Sequence, residues 1–392
     1  MLASGKLIDA NLRADQFLSV DPQDLQAHLA KAKISAVQRD LDAAHRWVDQ
    51  AQSLGAPLAE VELIRANLFA QQGQLARAVS LYEAVISLDP SRAEAHFGLG
   101  LARVKAKDHP AGLQSLARAV ELAPGNAAFH YRYGQALLEV GRFEEGKAQL
   151  QAALKLEHRF LPAHLALYQA LMREQNLPMA RVIVDRALGV LPDHPRLLAA
   201  MTNVQLLQGD VEGASRTAIV LAGQRPRDPE AQGNLALLLI LRGKREEALH
   251  ICRSQASQGL SNATLQMVEA MYFEGEQPPR LEEAIRAYET AMGLDPSDWR
   301  AANNLGQLLL RMDEGRPGSR QERALTVLEE AVRRAPTQLE PRLNLALILA
   351  QREDVEHARL VLAPVLAARL PERSPLREQA QRLEKVLSQP RQ

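Results

Sequence analysis

The sequence predicts an all-α chain made of one helix–turn–helix unit repeated about ten times, and three observations lead there. First, His96, His130 and His164 open the stretches "AEAHFGLGLA", "AAFHYRYGQA" and "LPAHLALYQA" at intervals of 34 residues. A fixed period of that length marks a repeat architecture. Second, apolar and small residues recur three and four apart within each period, the spacing of a helix face. Third, 46% of residues are hydrophobic but only 4% aromatic, so the interior must be mostly Leu, Ala and Val. Ala and Leu lose little side-chain freedom in a helix, which favours that state.

From the N-terminus, "GKLIDANLRADQFLSVDP" (5–22) reads as the second helix of a repeat whose first helix is absent. Leu7, Ala10, Ala14, Phe17 and Leu18 lie at helical spacing there. Part of this stripe is expected to pack on the next repeat, and the remainder to find further upstream repeats or a second copy of the chain. Ten units follow, at 25–58, 59–92, 93–126, 127–160, 161–194, 195–228, 229–262, 263–298, 299–338 and 339–372. Their second halves align in "GQLARAVSLYEAVISLDP" (73–90), "GRFEEGKAQLQAALKLEH" (141–158) and "PRLEEAIRAYETAMGLDP" (279–296). In each, a small residue (Ala78, Gly146, Ala284) precedes a larger one (Tyr82, Leu150, Tyr288) by one helical turn, and Val85, Ala153 and Ala291 continue the face. Gly73 and Gly141 mark the turn between the two helices. Pro90, Pro124, Pro192, Pro226, Pro296 and Pro336 fall where second helices should stop, since proline lacks the N–H that propagation needs. Extra residues at 275–280 and 313–320, rich in Gly and Pro, predict longer loops on one edge. Residues 374–388 predict a closing amphipathic helix with Leu376, Ala380, Leu383 and Leu387 inward. The expected division is therefore a half repeat at 1–24, ten repeats at 25–372, and a capping helix and tail at 373–392.

The pairs "ANNLGQLLL" with "ALTVLEEAVRRAP", and "GQLARAVSLYEAVISLDP", resemble tetratricopeptide repeats, and the resemblance extends over nearly the whole chain. It implies a right-handed α-solenoid whose first helices line a groove. The long array resembles those of bacteria. It also implies that repeat position four, held by His28, His96, His130 and His164, packs between the two helices of its repeat.

The chemistry of the chain excludes much else. Forty-seven basic residues balance forty-seven acidic ones, which gives no general attraction to nucleic acid or anionic membrane. The single cysteine, Cys252, allows no internal disulfide and reads as a buried, inert thiol. No phosphate-binding loop, zinc-protease helix or nucleophile elbow occurs, so no catalytic residue, cofactor or metal is expected. Neighbouring helices lie about 8–10 Å apart, too far for three histidines on successive repeats to share one metal, and a pair could reach one only through unusual rotamers. Asp108-His109 and Asp193-His194 read as solvated turns, and Tyr131 and Tyr133 around Arg132 as a weak nucleic-acid signal. The most apolar run, "NLALLLILRG" (234–243), is too short to span a bilayer.

Carried onto this chain, the resemblance implies groove residues Phe97 and Leu101, Tyr131, Arg132 and Gln135, Gln169 and Arg173, Asn203, Asn234, then Arg300, Asn304, Gln307 and Arg311, and Asn344. Asn234, Asn304 and Asn344 share one repeat position, interrupted by Val268 in the eighth unit. An amide there has the donor and acceptor to hold an extended peptide backbone. The asparagine is also common in the repeat itself, and both readings stand. The Lys, Asn and Arg set with which some members clamp a C-terminal carboxylate is not found.

The expected function is a non-enzymatic scaffold that binds a protein or peptide partner in the groove or on the loop edge. Two alternatives stay open: the accessory region of a glycosyl- or sulfotransferase, and an envelope scaffold for polysaccharide export. With no signal peptide or membrane span in the sequence, a cytoplasmic location is expected, or a periplasmic one if a longer N-terminus supplies the signal.

Overall fold

The computed structural model describes residues 2–312, 319–368 and 374–388, and within them the chain is entirely helical apart from turns. It is an all-α helical-repeat solenoid in which two compact units, 1–192 and 193–392, are distinguished. The first holds α1 (Leu2–Val20), α2 (Leu25–Val37), α3 (Leu41–Ser53), α4 (Leu58–Gln71), α5 (Leu75–Leu88), α6 (Ala93–Lys105), α7 (His109–Leu122), α8 (Ala127–Glu139), α9 (Phe143–Leu156), α10 (Leu161–Arg173) and α11 (Leu177–Val190). The second holds α12 (Pro195–Leu207), α13 (Val211–Gln224), α14 (Pro229–Leu241), α15 (Arg245–Ser257), α16 (Ala263–Glu274), α17 (Leu281–Leu294), α18 (Trp299–Met312), α19 (Ser319–Arg334), α20 (Leu339–Gln351), α21 (Val355–Ala367) and α22 (Pro375–Ser388).

Local chemistry sets the boundaries. Asp24, Asp108, Asn126, Asn176 and Asp210 accept hydrogen bonds from backbone N–H groups of the first turns they cap, worth about 0.5–2 kcal/mol each. Pro90, Pro124, Pro192, Pro226, Pro296 and Pro336 each stand two residues past the last helical residue of α5, α7, α11, α13, α17 and α19. Every described turn inside a helix pair, except that of α16–α17, holds one residue with positive φ. Gly73, Gly141, Gly209 and Gly243 supply it, but Arg39, Lys107, Gln175 and Glu353 take the same backbone at φ values of 57–68°.

Extensive contacts join only helices one or two places apart in the chain. First helices of successive pairs also touch one another, as α4 touches α6 and α6 touches α8, whereas second helices pack mainly on the first helices flanking them. The first-helix side is therefore the closer-packed side of each stack. Its seams are filled by one large residue against a small one. Tyr82 is 2% exposed, and its ring occupies the space a Cβ on Gly98 would need. In the second unit Tyr288 is buried among Ala284, Ala301 and Leu305. α1 packs through Ala14, which is buried, with Leu7 and Leu18 half-buried, while Ala10 and Phe17 are exposed. α22 buries Ala380, Leu383 and Leu387, and sets Glu378, Arg382, Glu384 and Lys385 outward.

Candidate functional site

The histidine period belongs to the architecture. His28, His130 and His164 are buried and His96 half-buried. His96, His130 and His164 each place Nε2 within hydrogen-bond distance of the carbonyl oxygen six residues earlier: Pro90 at 3.1 Å, Pro124 at 3.0 Å and His158 at 2.9 Å. A carbonyl only accepts, so Nε2 carries the proton and donates. That carbonyl ends the preceding helix pair, where unpaired acceptors gather. Arg342 donates to the carbonyl of Pro336 in the same way, at 2.9 and 3.1 Å, and Gln255 to that of Pro226 at 3.0 Å. Among the described residues no three His, Cys, Asp or Glu side chains converge as a metal site would require. Cys252 is buried with Sγ 3.5 Å from the carbonyl of Leu265, and burial pushes its thiol up to about 12. Asp193 lies in a turn and His194 stands at the N-cap position of α12, whereas Asp108 caps α7 and His109 is the first residue of that helix, because the Asp108 side chain accepts from the N–H of Ala111 and starts the helix there.

On the first-helix side of the first unit, the expected groove residues come together around α8. Phe97 lies half-buried on α6 and stacks on Phe129 of α8, ring centroids 4.2 Å apart and planes 17° from parallel. Tyr131 is half-buried and meets Phe160 edge-on at 5.2 Å. The exposed guanidinium of Arg132 lies 5.5 Å from the Tyr131 ring centroid and donates to Gln135 Oε1 at 3.1 Å. It meets no carboxylate among the described residues. Tyr133 turns the other way, packing with Leu113, Leu116 and Leu137, and burial raises its hydroxyl pKa. The two tyrosines therefore form no stacking pair. Phe129 and Phe160, partners to the expected residues, went unnoticed in the sequence because they lie outside the repeat positions assigned to the groove.

The second unit corrects part of the expectation. Asn344 is buried, 7% exposed, and donates to Asn303 Oδ1 at 2.7 Å. Its amide bonds within the fold and does not face an open groove, because position six of α20 is turned into the seam with α18. Asn304 is half-buried and bonds Tyr288, whose hydroxyl also donates to Glu274 at 3.0 Å, with Arg311 paired to the same carboxylate. Asn234 is half-buried, whereas Asn203 and Gln307 are exposed. Arg300 is exposed and held in two-pronged contact by Asp298, at 2.7 and 3.0 Å. Three asparagines equivalent in sequence thus stand in three different surroundings.

The loop at 275–280 is anchored. Arg280 lies 4.5 Å from the Phe273 ring centroid and pairs with Glu283 at 3.0 Å. Arg245 donates to the carbonyl of Met271 at 3.0 Å, and its guanidinium lies over Gly275, where a larger side chain would displace it. Of the second expected loop, residues 313–318 lie outside the described residues. No helix among the described residues is long and apolar enough to cross a membrane.

Two family models, each described as "Tetratricopeptide repeat", match the chain, one at residues 65–127 and 280–314, the other at 103–171. No curated protein matches it. Among solved structures, yeast Tom70 superposes with a TM-score of 0.53 at 13% identity, over 98% of this chain and 93% of that one. A tetratricopeptide repeat protein from Parabacteroides merdae gives 0.45 at 16% identity, over 70% of this chain and 99% of that one. Pseudomonas aeruginosa pilF gives 0.43 at 16% identity, over 54% of this chain and 97% of that one. At these identities the superposition on Tom70 establishes likeness of fold alone.

Proposed function

Because the chain is an array of tetratricopeptide repeats, we propose that it is a non-enzymatic scaffold holding an extended segment of a partner protein on the first-helix side of the first unit. The fold is that of protein-interaction scaffolds in general, and stacked repeats offer long binding surfaces. The observation that carries the finer reading is the arrangement of Tyr131, Arg132 and Gln135. Arg132 is exposed, yet its guanidinium is already oriented by the Tyr131 ring and by Gln135. Little side-chain freedom remains to be lost on binding, and ring and guanidinium stay accessible together. Phe97 extends the same surface from α6. Asn203, Asn234, Arg300 and Gln307 are the corresponding contacts proposed for the second unit; Asn304 contributes what its bond to Tyr288 leaves over.

A photo-crosslinking amino acid at Gln135, introduced in the native host, tests this. It should enrich one protein through a defined peptide, whereas the same probe at Gln151, exposed on α9, should not. Identical crosslink profiles from the two positions would remove the reading.

A second reading rests on α1. Ile8, Leu12, Phe17 and Val20 are 67, 56, 60 and 86% exposed, a dense apolar set for so short a segment. Association of two copies through this edge would cover them. Light scattering across a concentration series should show a dimer in the wild type and a monomer in Phe17→Glu. A monomer in both would discard this second reading.

A further inference from the structure

The first helices of the first unit, α2, α4, α6, α8 and α10, carry the carboxylates Glu60, Glu62, Glu94 and Glu139, and each of these lies beside a cation. Glu60 and Glu94 share Arg92, at 3.9 and 3.5 Å, Glu62 pairs with Arg65 at 3.1 Å, and Glu139 stands 3.6 Å from Lys107. Of the cations on the same helices, Lys31 is taken by Asp15, Arg65 by Glu62 and Asp49, and Arg103 by Glu83. The remainder, Lys33, Lys105, Arg132 and Arg173, are exposed and meet no carboxylate among the described residues.

These cations share one face. Arg132 holds repeat position six, Lys33 position nine, and Lys105 and Arg173 position thirteen. Offsets of three, four and seven residues keep side chains on one side of a helix. Gln135, to which Arg132 donates, holds position nine as well. Like charges without an internal counter-charge raise a positive potential that draws in an anionic partner.

The first helices of the second unit are charged the other way. Glu230, Glu269 and Glu340 meet no cation among the described residues, whereas Arg300 is held by Asp298 and Arg311 by Glu274. Arg342 donates to the carbonyl of Pro336, which leaves Arg196 as the free cation of those helices among the described residues. An acidic chain is therefore drawn to the first unit and opposed on the second.

The spacing says how long a segment fits. Successive first helices touch from α2 through to α10, and neighbours about 8–10 Å apart make that path about 32–40 Å long. An extended chain rises about 3.3 Å per residue and covers the path with about 10–12 residues. A polynucleotide is anionic too, but Tyr133 is turned into the core, so the face lacks the run of rings on which bases stack.

We propose, taking the first-helix surface of the first unit as the one that holds an extended segment, that this segment is acidic, its carboxylates meeting Lys33, Lys105, Arg132 and Arg173. The test uses the full chain and two fluorescein-labelled peptides of about 12 residues. Both share the same serines, glycines and leucines; one bears glutamate and the other lysine at the remaining positions. Fluorescence anisotropy should show saturable binding of the glutamate peptide that weakens as salt rises. The lysine peptide should bind about tenfold more weakly or less. Lys105→Glu/Arg132→Glu should weaken the glutamate peptide by about tenfold or more. Lys155→Glu/Arg186→Glu makes the same change of net charge at exposed residues of α9 and α11, and should leave the affinity unaltered. Circular dichroism should show both variants folded, since all these side chains are exposed. No saturable binding of the glutamate peptide, equal affinity for both peptides, equal losses in the two variants, or tighter binding of a thymidine oligonucleotide of the same length would overturn the proposal. The photo-crosslinker at Gln135 separates it from the reading it rests on. A defined crosslink that survives Lys105→Glu/Arg132→Glu overturns the acidic segment and leaves the groove standing, whereas matching profiles at Gln135 and Gln151 remove the groove and the acidic segment with it.

Discussion

His130 on α8 donates from Nε2 to the carbonyl oxygen of Pro124, 3.0 Å away and beyond the end of α7, so one side chain ties two successive helix pairs together. Its Nδ1 lies 2.7 Å from the side-chain amide of Gln149. Bulk alone therefore does not satisfy this position. His130→Phe keeps the volume but leaves the Pro124 carbonyl without its donor, and should cost about 1–3 kcal/mol in urea unfolding. His130→Ala should cost more, because it also opens a cavity. Equal stability of the Phe variant and the wild type would show that the hydrogen bond contributes nothing. Zinc held stoichiometrically through dialysis would contradict the structural role itself.

Asn344 and Asn303 are both buried and bonded to each other. Asn344→Ala strands the Asn303 oxygen and should destabilise the second unit by about 1–3 kcal/mol. The double variant Asn303→Ala/Asn344→Ala should cost less than the sum of the single changes, because they share one bond. Strict additivity in denaturant titrations would show that the pair is not coupled.

Gln175 holds a left-handed backbone at φ 57° in the turn where Gly141 and Gly209 sit in neighbouring repeats. Gln175→Gly relieves a steric cost and should stabilise the protein by about 0.5–1 kcal/mol net of glycine's greater freedom when unfolded. Gly141→Gln should do the reverse. Calorimetry of the pair checks the sign, and a loss of stability in Gln175→Gly would show that other contacts of the glutamine outweigh the strain.

His194 caps α12, and its pKa is lowered, first by burial and then by Arg196 and Arg225. A positive charge at a helix N-terminus is further disfavoured by the helix dipole. The unfolded chain therefore binds this proton at a higher pH than the folded one, so folding stability rises with pH through this window. The contribution is present above the ordinary histidine range and is lost as pH falls through the depressed folded value. His194→Gln should flatten the pH dependence of the melting temperature of the second unit between neutral and mildly acidic conditions. An unchanged slope would mean that other groups set it.

Much of the fold was legible in the sequence because the repeat states the same instructions many times over. A Pro two residues past a helix end, a small residue against Tyr82 or Leu150, and an apolar face at helical spacing each recur, so an error in one unit is corrected by its neighbours. The candidate site was less legible, because exposure is decided by small rotations of a helix that leave the pattern unchanged. Asn234, Asn304 and Asn344 share a position, yet Asn344 is buried and Asn304 is bonded to Tyr288. The residues beside them decide this, Asn303 in one case and Tyr288 in the other, and no periodic pattern announces either. The histidine bonds were in principle visible: Pro90 precedes His96 by six residues, as Pro124 precedes His130 and Pro336 precedes Arg342. That spacing joins two repeats, and reading one repeat at a time conceals it.

Extensive contacts reach only one or two helices along the chain. Such a chain has very low contact order, so it should fold quickly and from several starting points. It also means that a strain applied at one helix pair is shared only with those beside it. Each stack can then flex like a spring whose coils are individually stiff, and a partner lying across several first helices would clamp neighbouring coils together. Binding would be felt as stiffening along the stack, with no change in any single helix.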